Sequence, residues 1–221
     1  MPIEVKICGL TSLADARYCA GAGADYLGFV FHEASPRNVA PAVVKEIAEW
    51  LHGPEIVGVF VDRSPDDVNA IAAEAGLTMA QLHGDESPEA CEEIDLPVIK
   101  AFRVRESDTA TSLAERFDAY AGAVRAFLLD TYHPDQPGGT GTSFDWSIAA
   151  ELASEYPIIL SGGINAANVS KAVRSVLPLA VDLSSSVESA PGVKDFDLLS
   201  IFFDAFESLR RENPAYLPET T

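Results

Sequence analysis

VKICGLTSLADARYCAGAGADYLGFVF, residues 5–31, reads as one complete strand–turn–helix–strand unit. The apolar run Val5 to Ile7 has the length of a buried strand and stops at a glycine turn. Ser12, with Asp15 three residues on, supplies a cap and an acidic first turn where the orphan N–H groups of a helix need them. A second apolar run, Tyr26 to Phe31, follows the helical stretch.

The alternation continues to the end of the chain. Further strand-like runs fall at Ile56 to Val61, Met79 to Leu82, Val98 to Phe102, Ala126 to Leu129, Ile158 to Leu160 and Leu179 to Leu183, which makes eight strands in all. Between them, Ser64-Pro65 with Asp67 marks a helix start and Gly76 its stop. Val68, Ile71, Ala72 and Ala75 share one helical face, as do Val169, Ala172, Val173 and Val176. A last helix, 195–211, sets Leu199, Phe202, Phe203, Phe206 and Leu209 on one side, suited to sealing the first and last strands. No linker or low-complexity tract interrupts the series. The expectation is therefore a single-domain α/β fold, a closed (β/α)8 TIM barrel over residues 1–212, with 213–221 as a loose C-terminal tail. An open doubly wound sheet would gather its ligand signals at one switch point, whereas polar and glycine signals here follow several strands.

Composition narrows the function classes. A chain of 221 residues is long enough for one large core. No apolar run reaches membrane-span length and the start lacks a leader-like pattern, so a cytoplasmic protein without membrane contact is expected. The net charge of −19, from 34 acidic against 15 basic residues, disfavours nucleic acid and reads as a solubilising surface. Cys8, Cys19 and Cys91 form no CxxC pair, and His32, His52, His83 and His133 lack zinc-site spacing. Reduced thiols and no metal are expected.

In such a barrel the strand C-terminal ends face the active site. Those ends carry Cys8, Arg37 in the following loop of strand 2, Asp62, Gln81 with His83, Lys100, Asp130, Gly162-Gly163, and Asp182 with Ser184, Ser185 and Ser186. LSGGIN (160–165) and SSSVESAPGVKD (184–195) offer turn N–H groups, hydroxyls and helix starts after strands 7 and 8, the usual phosphate position of this fold. A thiol at Cys8, beside a bound phosphoester, is placed to act as nucleophile or general base; Cys19 and Cys91 read as packing residues. Asp130 ends an apolar strand, where burial would raise its pKa toward the neutral range and make it an acid. Arg37 offers a planar fork for a carboxylate. Lys100 reads as an ion-pair partner sooner than a Schiff-base lysine, and His83 as a substrate contact or loop anchor.

These motifs, KICGLT, GADYLGFVFHEASPRNV, VGVFVD, QLHGDE, IKAF, LLDT, GGTGTSFDW, LSGGINAANV and VDLSSSVESAPGVKD, resemble the phosphoribosylanthranilate isomerase family over nearly the whole chain. The resemblance implies a (β/α)8 barrel and an Amadori rearrangement of N-(5-phosphoribosyl)anthranilate in tryptophan biosynthesis, without metal or organic cofactor. It implies Asp130 as general acid, Cys8 as general base, Arg37 on the anthranilate moiety, and Gly162, Gly163, Ser184 and Ser185 at the phosphate; Gln81, His83 and Asp182 are expected to bind substrate from their strand-end positions. Two positions depart from the family pattern: Thr142 stands where a basic residue is common, and Ser186 where a glycine is. A histidine-pathway isomerase would require two phosphate sites and a carboxylate on strand 1, and indole-glycerol phosphate synthase a central lysine. A barrel that only binds a phosphorylated metabolite would not need both Cys8 and Asp130. The chain is expected as a monomer or homodimer.

Overall fold

The computed structural model describes residues 3–131 and 144–213. Eight strands alternate with eight helices: β1 (Glu4–Cys8), α1 (Leu13–Gly21), β2 (Tyr26–Val30), α2 (Pro41–Ala48), β3 (Glu55–Phe60), α3 (Pro65–Ala75), β4 (Met79–Leu82), α4 (Pro88–Glu92), β5 (Val98–Val104), α5 (Ala110–Asp118), β6 (Ala126–Thr131), α6 (Trp146–Leu152), β7 (Ile158–Leu160), α7 (Val169–Val176), β8 (Ala180–Leu183) and, last, α8 (Phe196–Glu212). The strands close into a parallel barrel in sequence order, with β1 paired to both β2 and β8. Between β8 and α8 lies a feature the sequence reading lacks: a 3-10 turn at Ser185–Val187 leads into a small antiparallel hairpin, β9 (Glu188–Ala190) and β10 (Val193–Lys194).

The helix starts follow local chemistry. Ser12 accepts from the Asp15 N–H and Ser64 from the Asp67 N–H, and Gly76 takes the left-handed conformation that ends α3. Asp195 caps α8 instead of beginning it, accepting from the N–H groups of Asp197 and Leu198. No helix among the described residues is long and apolar enough to cross a membrane. Thr142, and all of the proposed loose tail 213–221 except Asn213, lie outside the described residues.

Period-2 alternation sorts each strand between two layers. Val5, Ile7, Phe127, Leu129, Val181 and Leu183 face the helices and join the large outer core. Met79, Ile99, Ala101, Leu128, Ile159 and Ala180 fill the barrel interior. Two residues further along, five of the inward rows turn polar: Met79 gives way to Gln81, Ala101 to Arg103, Leu128 to Asp130, Ile159 to Ser161 and Ala180 to Asp182. The barrel thus has an apolar floor and a polar mouth, and that change positions the site.

Candidate active site

All ten residues singled out as site residues, Cys8, Arg37, Gln81, His83, Asp130, Gly162, Gly163, Asp182, Ser184 and Ser185, line one cavity of about 190 Å3 at the C-terminal mouth. Cys8 enters it from β1 and Asp130 from β6. The loops after β7 and β8 lie between those two strands in the barrel order.

Cys8 stands on a buried ionic layer. Lys6, two residues earlier on the same strand face and fully buried, pairs through Nζ with Asp182 Oδ1 at 2.8 Å, and Asp182 Oδ2 accepts from Ser161 Oγ at 3.0 Å. Burial pushes the Cys8 thiol up, Lys6 pulls it down, Asp182 pushes up again and Lys194 pulls down, for a net rise. Burial works to lower the Lys6 pKa, but Asp182 and Cys8 together hold it above its ordinary value.

Asp130 has one oxygen fixed, Oδ1 accepting the Thr131 N–H at 2.8 Å. Burial and the charge of Asp182 raise its pKa, against the Thr131 N–H, Arg103 and Lys6, to about 6. His83 Nε2 lies 3.7 Å from Asp130 Oδ2, while its Nδ1 is 2.9 Å from Gln81 Nε2. With the Gln81 amide donating, Nδ1 accepts and Nε2 carries the proton toward the cavity. Burial and the charges of Arg103, Lys100 and Lys6 lower the His83 pKa to about 3, so the ring is a neutral donor.

The loop after β7 is built to present backbone. Gly162 and Gly163 have φ of 81° and 76°, and a Cβ on Gly162 would meet Thr131 Oγ1 at 2.2 Å, so only glycine fits that turn. The N–H groups of Gly162, Gly163 and Ser184 donate to no described residue. The expected helix end is not at this loop: α7 starts only at Val169, because Asn165 and Asn168 bond the loop backbone, Asn168 Nδ2 reaching Gly163 O at 2.8 Å. The short helical start nearest the cradle is the turn at Ser185–Val187. Ser186 takes no left-handed φ, so a serine sits there without strain, and its Oγ is buried with no partner.

Arg37 differs from the open fork expected of it. Nε and Nη2 clasp Glu188 at 2.9 and 2.7 Å, leaving the Nη1 edge without a described partner. Glu188 also takes Lys194 Nζ at 2.8 Å, and Lys194 donates to Cys8 O at 2.7 Å and Ser184 O at 3.1 Å. Lys100 points away from the cavity and pairs with Glu86 at 3.1 Å. Asp62 orders a loop, accepting the Asp85 N–H at 2.7 Å. Cys19 and Cys91 lie in the outer core. Lys6 was legible from alternation alone, as the inward partner of Cys8, whereas Arg103 lies beyond the strand run ending at Phe102 and Glu188 and Lys194 arrive through a hairpin with no such signal.

A closed parallel barrel with a titratable thiol, a raised carboxyl and an anion cradle at one mouth defines an enzyme of the (β/α)8 class suited to a small phosphorylated ligand. The family model described as "N-(5'phosphoribosyl)anthranilate (PRA) isomerase" matches residues 5–205. The chain belongs to the phosphoribosylanthranilate isomerase family. It is 49% identical over 194 residues to the N-(5'-phosphoribosyl)anthranilate isomerase of Geobacter metallireducens, covering 87% of this chain and 93% of that protein. Among solved structures, the phosphoribosyl anthranilate isomerase of Thermus thermophilus superposes with a TM-score of 0.84 at 39% identity, over 94% of this chain and 100% of that one. A second, phosphoribosyl anthranilate isomerase in complex with reduced 1-(o-carboxyphenylamino)-1-deoxyribulose 5-phosphate, gives 0.81 at 35% identity, over 93% and 99%.

Proposed function

We propose that the chain isomerises N-(5'-phosphoribosyl)anthranilate to 1-(2-carboxyphenylamino)-1-deoxyribulose 5-phosphate, with Asp130 as general acid and Cys8 as general base. What carries the reading is one cavity lined by a carboxyl of pKa about 6 and a thiol, with the Gly162-Gly163 and Ser184 loops between their strands. The substrate phosphate binds the free N–H groups of those loops, with Ser186 Oγ as a further donor. The Nη1 edge of Arg37 takes the anthranilate moiety.

Asp130, protonated, gives its proton to the furanose ring oxygen, and the C1–O bond breaks as the nitrogen lone pair forms a Schiff-base cation. Cys8, as thiolate, then removes the C2 proton, and the resulting enolamine tautomerises to the ketone. A buried thiol with a raised pKa is a poor base in the resting site. The Schiff-base cation formed beside it favours the thiolate, as Lys6 does from below, so more of the thiol is ionised when a base is needed.

Decay of substrate fluorescence tests the pair. Cys8→Ala and Asp130→Asn should each lower kcat by about 10²- to 10⁴-fold, the usual weight of general acid or base catalysis, with product-analogue binding retained. Wild-type turnover in either variant removes that residue's role.

A further inference from the structure

Only 15 lysines and arginines face 34 acidic residues in this chain, yet four of those cations line a single second cavity. Lys100, Arg103, Arg105 and Arg116 surround a space of about 220 Å3 at the ends of β4 and β5. His83 and Arg103 line both this cavity and the catalytic one, and so form the wall between them.

The cations are unequally neutralised. Lys100 has Glu86 at 3.1 Å, and Asp85 is the carboxylate among the cavity's own lining residues. Arg103 and Arg116 form no ion pair among the described residues. Arg103 Nε is buried without a partner, and Nη2 reaches the His83 carbonyl at 3.4 Å. The Arg116 guanidinium lies over the Phe102 ring, 4.7 Å from its centroid, a contact made by its face that leaves its N–H edges available. Clustered like charges repel one another, and in so acidic a protein carboxylate partners are plentiful. Two guanidiniums left without them around one cavity make a receptor for an anion from outside the chain.

We propose that this cavity is a second oxyanion site, which takes inorganic phosphate or a small phosphomonoester between Arg103 and Arg116. Planar guanidinium forks each engage two oxygens of such a group, and Phe102 and Tyr120 add apolar lining beside them. The site is separate from the cradle after β7 and β8 and does not depend on the roles of Cys8 and Asp130.

The experiment is calorimetric titration of potassium phosphate into the full chain saturated with reduced 1-(o-carboxyphenylamino)-1-deoxyribulose 5-phosphate, against potassium chloride at matched ionic strength. One phosphate per chain is expected to bind, weakened at least tenfold in Arg116→Gln and again in Arg105→Gln, with turnover in phosphate-free buffer unchanged in both. No saturable uptake by the analogue-loaded chain, or equal uptake by both variants, overturns the proposal. If the analogue itself fails to bind, the catalytic reading is at fault. The second site is then read from unloaded chain, as one phosphate per chain that Arg116→Gln loses and wild type keeps.

Discussion

Asp130 shows what a functional carboxyl costs the fold. Its pKa rises from 3.8 to about 6 on folding, so between those values the folded chain binds more protons than the unfolded one. Stability must therefore fall as pH rises through that window, and above it the penalty is on the order of 2–3 kcal/mol. Asp130→Asn keeps an acceptor for the Thr131 N–H while removing the charge. It should raise the melting temperature at pH 8, with the difference shrinking toward zero near pH 4, in thermal melts across that range. The same residue predicts a pH profile. Free enzyme should lose kcat/KM on the alkaline side of about 6, and the limb in kcat should lie higher, because the bound phosphate and carboxylate favour the protonated acid.

At the scale of elements, β1 and β2 meet where a side chain would do harm. A Cβ on Gly28 would lie 2.9 Å from Cys8 Sγ and 3.1 Å from Cys8 Cα. Gly28→Ala should cost about 1–3 kcal/mol in denaturant melts, and, by displacing the thiol, lower kcat by as much as ~10²-fold with KM little changed. The β9–β10 hairpin acts on the other edge of the mouth. Glu188, held ionised by Arg37 and Lys194 despite its burial, pairs with both. Glu188→Gln leaves Lys194 as a buried unpaired charge and should cost ~3–5 kcal/mol while raising KM through a loosened Arg37; a melt and a saturation curve check the two effects separately. Strand order, caps and mouth residues were legible because alternation and helix-start chemistry act over a few residues. The longer extent of β5, which carries Arg103 to the mouth, was not, since Arg103 and Val104 gain strand structure only by pairing with Asp130 and Thr131 of β6. Nor was the hairpin, whose strands are three and two residues long and whose value lies in contacts with Cys8 and Arg37.

At the scale of the molecule, a charge of −19 opposes any anionic substrate, and local dipoles at the mouth work against that field. Added sodium chloride shortens the reach of the repulsion, so KM should fall a few-fold between about 10 and 150 mM salt before competing anions reverse the trend, as steady-state assays at fixed pH would register. The closed ring also ties the chain's two ends into one machine: Lys194 grips the carbonyl of Cys8 across 186 positions of sequence. A ribosome therefore exposes the reactive sulfur near the beginning of synthesis and supplies its shelter close to the end. During that interval Cys8 is an ordinary solvated thiol, open to peroxide and to mixed disulfides, and only when the final hairpin docks is it withdrawn from such damage.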